Sequence, residues 1–130
     1  MKKLILDESK WRCGGDSPNP KNRRGKIGTE TQLLNEQGRM CCLGQFSLQL
    51  NKKLKKKDIL ELAEPVELRT DIPPLNERSD YGYIRNTSLS KAAMLINDTE
   101  ETSVEEKVKK LKELFVENGF KIVFKRQKRK

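Results

Sequence analysis

Apolar positions along this chain fall into short runs whose period changes from strand-like to helical and back. Leu4, Ile5 and Leu6 form a brief apolar run closed by Asp7, Glu8 and Ser9, which predicts a strand over Lys3 to Leu6. At the far end Phe120, Ile122 and Phe124 alternate with Lys121, Val123 and Lys125, the period-two pattern of a strand with one buried face. Two helices precede it. Leu89, Ala92, Ala93 and Ile96 make one apolar stripe behind a cap at Thr87 or Ser88, and that helix closes at Asn97 and Asp98. Val104, Val108, Leu111 and Phe115 repeat at i, i+4, i+7 and i+11, Ser103 and Glu106 have capping-box spacing, and Gly119 can end the helix with positive φ.

The middle of the chain is less regular. From Met40 to Leu50 the apolar residues fit helical spacing through Leu43, Phe46 and Leu50, and strand spacing through Phe46, Leu48 and Leu50; a buried helix is favoured. Asp58 to Glu64 predicts a short helix that stops before Pro65, because the proline ring disfavours helical geometry in the residue ahead of it. Residues 70 to 87 are mostly polar, with Pro73 and Pro74, and read as one long connection. Residues 16 to 29, rich in Pro, Asn and Gly, read as a mobile basic loop.

Helices and strands of this kind predict an α+β fold. The expected form is a single small domain over residues 1 to 124, its helices packed on a short antiparallel sheet that includes the N- and C-terminal strands. A basic tail follows at 125 to 130.

Composition narrows the class. With 130 residues the chain can bury one modest core, and 34% hydrophobic against 36% charged residues makes it polar yet periodic enough to fold. No long apolar run occurs, so neither a membrane span nor a signal peptide is expected, and a cytoplasmic location is. Three cysteines, two of them adjacent, fit reduced thiols better than a disulfide framework. The net charge of +9 is uneven. It gathers at Lys21, Arg23, Arg24 and Lys26, at Lys52, Lys53, Lys55, Lys56 and Lys57, and at Lys125, Arg126, Lys128, Arg129 and Lys130. These clusters are candidate contacts for a polyanion or a protein partner, and a plain solvated surface is the competing reading of each.

Rare residue types concentrate in two blocks. Trp11, Arg12, Cys13, Gly14 and Gly15, with Met40, Cys41, Cys42, Leu43 and Gly44, hold the one tryptophan, every cysteine and three of the eight glycines. Neither block carries a recognisable chemistry. Zinc needs four Cys or His ligands, and this chain has three cysteines, no CxxC pair and no histidine. A thiol nucleophile at Cys13 would have one neighbouring cation, Arg12, and no histidine base. The string Gly25, Lys26, Ile27, Gly28, Thr29 lacks the order of a phosphate loop. No catalytic residue, metal or cofactor is therefore expected. Trp11 and Cys42 read as core anchors, Cys13, Gly14, Gly15 and Gly44 as packing or turn residues, and Asn97 with Asp98 as a pair tying down a turn. Tyr81, Tyr83 and Arg85 offer a stacking surface beside a cation, although a half-buried aromatic pair closing the core is the favoured reading.

The order Trp11, Cys13, Gly14, Gly15, then Leu33, Leu34, Asn35, then Gly38, Met40, Cys41, Cys42, Leu43, Gly44, then Asn97, Asp98 before a Glu/Lys-rich helix resembles uncharacterised small proteins encoded by bacteriophages. More distantly it is similar to a bacterial domain that has a tryptophan before the asparagine-aspartate pair, where this chain has Ile96. The resemblance implies a phage accessory protein in the cytoplasm of an infected cell. On that basis the first expectation is a non-enzymatic protein docking on a host or phage protein complex, such as a defence complex. The alternative is direct nucleic-acid binding through the Lys/Arg clusters.

Overall fold

The computed structural model describes residues 1–14, 31–68, 70–99 and 102–126. Gly15, the loop at 16–29 with Lys21, Arg23, Arg24 and Lys26, and the tail residues Lys128, Arg129 and Lys130 lie outside them. In chain order the elements are β1 (Lys2–Asp7), α1 (Cys42–Leu50), α2 (Lys56–Ile59), β2 (Asn76–Arg78), β3 (Ile84–Asn86), α3 (Ser88–Asp98), α4 (Val104–Glu117) and β4 (Phe120–Lys125). No helix among the described residues is long and apolar enough to cross a membrane.

The terminal strands pair, but they run parallel. Leu4 lies beside Ile122 and Leu6 beside Phe124, and the other strand pair, β2 with β3, is a separate antiparallel hairpin. The expected single antiparallel sheet is therefore corrected to a parallel ribbon plus a hairpin. Alternation along a strand decides which face is buried and carries no information on the direction of its neighbour. Direction here follows from α4, which turns into β4 through Gly119 at φ +86. Strands separated by helical crossovers can pair in parallel without a tight turn between them.

Helix α1 settles the ambiguous middle block. It begins at Cys42, and its first six residues are buried, with Phe46 edge-on to Phe115 of α4 at 5.1 Å between ring centres. The backbone of α1 is pressed against the segment beneath it at Gly44. A Cβ there would stand 1.8 Å from the Leu33 carbonyl oxygen, so only glycine fits.

Helix α2 is shorter than the predicted span and starts earlier, ending at Ile59. Leu60 forms a bridge to Leu34, Glu61 donates its N–H to the Leu34 carbonyl at 2.7 Å, and Glu61 adopts φ +64. Pairing with Leu34 thus overrides the local helical preference. The expected structureless connection over 70 to 87 holds the β2–β3 hairpin instead. Its base is fixed by buried Asn76, whose Oδ1 accepts from Ile72 N at 2.6 Å and whose Nδ2 donates to the Pro65 and Thr70 carbonyls, both at 3.1 Å.

Helices α3 and α4 form where the pattern puts them. Thr87 caps α3 by accepting from Ser90 N, and Ser103 caps α4 by accepting from Glu106 N, both at 3.2 Å. Val104, Val108, Leu111 and Phe115 are buried. Lys107 of α4 serves the other helix. Its Nζ donates to the Ile96 carbonyl at 3.3 Å, to Thr102 Oγ1 at 2.9 Å and to the Thr99 carbonyl, placing a cation on the last turn of α3, where the helix dipole is negative. Burial lowers the Lys107 pKa, against the opposing pull of Cys13 and Asp98.

Candidate nucleic-acid interface

The two blocks of rare residues meet in the core around Asn97. Its Oδ1 accepts from Trp11 Nε1 at 2.7 Å and from Cys42 N at 3.1 Å; its Nδ2 donates to the Arg12 carbonyl at 3.1 Å and to Asp98 Oδ1 at 2.9 Å. All four hydrogen-bonding positions of the amide are filled. Gly14 N adds a bond to the Asn97 carbonyl at 2.6 Å, with Gly14 at φ +87. The Asn97–Asp98 pair is thus a long-range tie between the N-terminal segment, α1 and α3, which extends the local turn role expected for it.

The thiols of this region lie in the packed core. Cys13, Cys41 and Cys42 form no disulfide and are all buried. Burial pushes the Cys41 thiol up to about 12 despite lowering contacts from backbone N–H groups of α1, and it raises Cys42 well above its ordinary value. Desolvation wins over the helix N-terminus here, so both thiols stay protonated. No group of three or more Cys, Asp and Glu able to hold a metal occurs among the described residues.

Cations gather elsewhere, along the edge of β1 that does not pair with β4. Gln45 and Gln49 stand one turn apart on α1 and face that edge. Gln49 exchanges two hydrogen bonds with the backbone of Ile5, both at 2.7 Å, and Gln45 does the same with Asp7 at 2.7 and 3.1 Å. Beside this sealed edge runs a groove of about 340 Å3. Lys10, Lys56 and Lys125 line it together with Asp7, Gln45 and Gln49 and with the apolar side chains of Ile5, Met40 and Leu48. Asp7 is held below the usual carboxylate range: partial burial opposes this, but bonds from the Ser9 hydroxyl and N–H and the charges of Lys125 and Lys10 outweigh it. Its one ion-pair contact among the described residues is long, 4.0 Å to Lys125. Among the residues that line the groove, one carboxylate thus stands with three lysines.

The predicted basic residues sort out by position. Lys52, Lys53, Lys55, Lys56 and Lys57 are all exposed, and Lys56 is the one that reaches the groove. Lys53 lines a different depression, where Asp58 and Glu67 balance it. Lys125 lies on the groove, and the Arg126 guanidinium sits 5.8 Å from the Phe124 ring centre. Tyr81 and Tyr83 are not half-buried: they are 89% and 73% exposed at the tip of the β2–β3 hairpin, so the core-closing reading is corrected. Arg85 is paired with Glu77 at 3.0 Å, and Arg78 with Asp71 at 3.0 Å. The sequence reading passed over Lys10, Lys3 and Lys121. The signal for the last two lay in the strand alternation itself, which puts both on the face opposite Leu4 and Ile122.

Compared with known proteins, the chain matches no family model, no curated relative and no solved structure.

Proposed function

We propose that this chain is a non-enzymatic binding protein that holds the phosphate backbone of a nucleic acid in the groove beside β1. The observation that carries the reading is convergence. Lys56 comes from one basic cluster and Lys125 from another, far apart in sequence, and both line one groove with Lys10. Three lysines around a groove that holds a single carboxylate suit phosphate oxygens, which need charge and offer only acceptors. The three buried thiols fit a reducing cytoplasm as the place where it acts.

Titration of a fluorescently labelled oligonucleotide at low salt tests this. Reversal of one groove charge, Lys56→Glu, should weaken binding about tenfold, while Lys53→Glu, in the already balanced depression, should change it far less. Equal loss from both variants, or no binding by the unaltered chain, overturns the groove as the site.

A protein partner is the second reading, and the hairpin favours it. Tyr81 and Tyr83 are side-chain types that dominate binding energy at interfaces, and both stand free of the core on a turn fixed by Ser79 N to the Tyr83 carbonyl at 2.7 Å. A host or phage protein complex captured by the unaltered chain and lost on Tyr81→Ala with Tyr83→Ala supports it. Retention by that variant removes it.

A further inference from the structure

The outer face of the β1–β4 ribbon carries three cross-strand rows. In register these are Lys3 beside Lys121, Ile5 beside Val123, and Asp7 beside Lys125. Parallel strands lie about 4.8 Å apart, so the first row sets two like charges side by side, an arrangement that costs stability. The second row exposes an apolar pair: Ile5 is 47% and Val123 37% exposed, while their neighbours Leu4 and Ile122 are buried on the other face. The third row opens into the groove, which Ile5, Asp7 and Lys125 also line. Face and groove form one continuous surface.

We infer that this face binds single-stranded nucleic acid laid along the ribbon, with Lys3 and Lys121 holding phosphate at one end, the groove lysines at the other, and a base resting on Ile5 and Val123 between them. The inference rests on the nucleic-acid reading of the groove and names its form. The Lys3–Lys121 row and the Asp7–Lys125 row at the groove are about 13 Å apart at roughly 3.3 Å per residue, a span that a few extended nucleotides cover. Charge alone would suit a duplex equally well. The apolar row decides between them, because a duplex turns phosphates outward and stacks its bases away, whereas a single strand can lay an unstacked base on an apolar surface. The Lys3–Lys121 pair, which has no ion-pair partner among the described residues, fits the same assignment: a bound phosphate offsets the repulsion between two neighbouring like charges.

The test compares a labelled 20-nucleotide oligothymidine with a duplex of equal length across a salt series, using the full chain. Lys3→Gln with Lys121→Gln should lower the slope of log K against log salt by about 1.4 for the single strand, close to 0.7 for each lysine. The same variant should melt at a higher temperature than the unaltered chain, which separates lost binding from lost folding. Val123→Thr keeps a β-branched residue in the strand and should weaken single-strand binding about threefold with no change in slope, the scale of one apolar methyl contact. Unaltered slope in the double lysine variant, alongside loss on Lys56→Glu, overturns the face and spares the groove. Duplex binding as tight as single-strand binding, or no effect of Val123→Thr, overturns the single-strand assignment. No oligonucleotide binding at low salt overturns both, and binding only to vesicles of anionic lipid does the same.

Discussion

Gln49 stands beside Ile5 as a neighbouring strand would, accepting the Ile5 N–H and donating to the Ile5 carbonyl, each at 2.7 Å. Gln45 repeats the arrangement at Asp7, and Gln49 also donates to the Gln45 carbonyl at 3.2 Å. Two glutamines on one helix turn thus seal an edge that would otherwise template pairing with another chain. Gln45→Ala with Gln49→Ala should cost about 2–4 kcal/mol, at about 0.5–1 kcal/mol for each of the four hydrogen bonds lost, and should raise concentration-dependent self-association. Sedimentation or light scattering over a concentration series checks this. A variant that stays as dispersed as the unaltered chain shows that the edge needs no seal.

Gly44 is the tightest point of the fold. Gly44→Ala places a methyl group at 1.8 Å from the Leu33 carbonyl oxygen, backbone against backbone, so α1 must move away from residues 31 to 35. Urea unfolding should show a loss of about 3 kcal/mol or more. A loss under about 1 kcal/mol would mean that α1 and Leu33 are not in that contact.

Asn97→Ala strands three buried groups at once: Trp11 Nε1, Cys42 N and the Arg12 carbonyl. The expected cost is about 3–5 kcal/mol, since each orphaned buried group forfeits about 1–3 kcal/mol. Trp11, the single tryptophan, is buried and reports the change directly through its emission. Asn97→Asp keeps the acceptor but loses the donors and sets a second carboxylate against Asp98, so it should be no better than alanine at neutral pH. Asn97→Ala stability within 1 kcal/mol of the unaltered chain contradicts the network.

Alkaline pH should weaken the fold. Burial raises Cys41 to about 12 and Cys42 well above 9.0, so the folded chain keeps protons that the unfolded chain releases. Their stabilisation is complete below pH 9 and is lost as pH rises from there towards about 12. Lys107 acts in the opposite sense just below 10.5, because its lowered pKa makes the unfolded chain the better proton binder there. Two thiols against one lysine leave a net decline. Thermal melts at pH 8 and pH 10.5 should show it, Cys41→Ala should reduce it, and a thiol reagent at pH 8 should label the native chain slowly and the unfolded chain at once. Fast native labelling would contradict the burial of all three cysteines.

Local pattern made part of this molecule legible. The stripe from Val104 to Phe115, the caps at Thr87 and Ser103 and the positive φ of Gly119 depend on residues close in sequence, and the structure repeats them. Pairing of β1 with β4 followed from each strand needing cover, but its direction depended on how α4 turns into β4. The β2–β3 hairpin was hidden because its strands are three residues long and mostly polar, with buried Asn76 as their anchor. The exposure of Tyr81 and Tyr83 was hidden with it, because both sit on the turn that joins the two strands, where no apolar period operates. The groove could not be read from the sequence, since Lys10 after β1, Lys56 of α2 and Lys125 of β4 converge only through tertiary packing.

Salt dependence of oligonucleotide binding tests the central claim most directly. For the unaltered chain the slope of log K against log salt should be about −2 or steeper, because three groove lysines displace counterions at about 0.7 each. In the variant carrying Lys10→Gln, Lys56→Gln and Lys125→Gln the slope should flatten by about 2, with the melting temperature preserved. An unchanged slope in that variant, or affinity that does not respond to salt, would contradict the account.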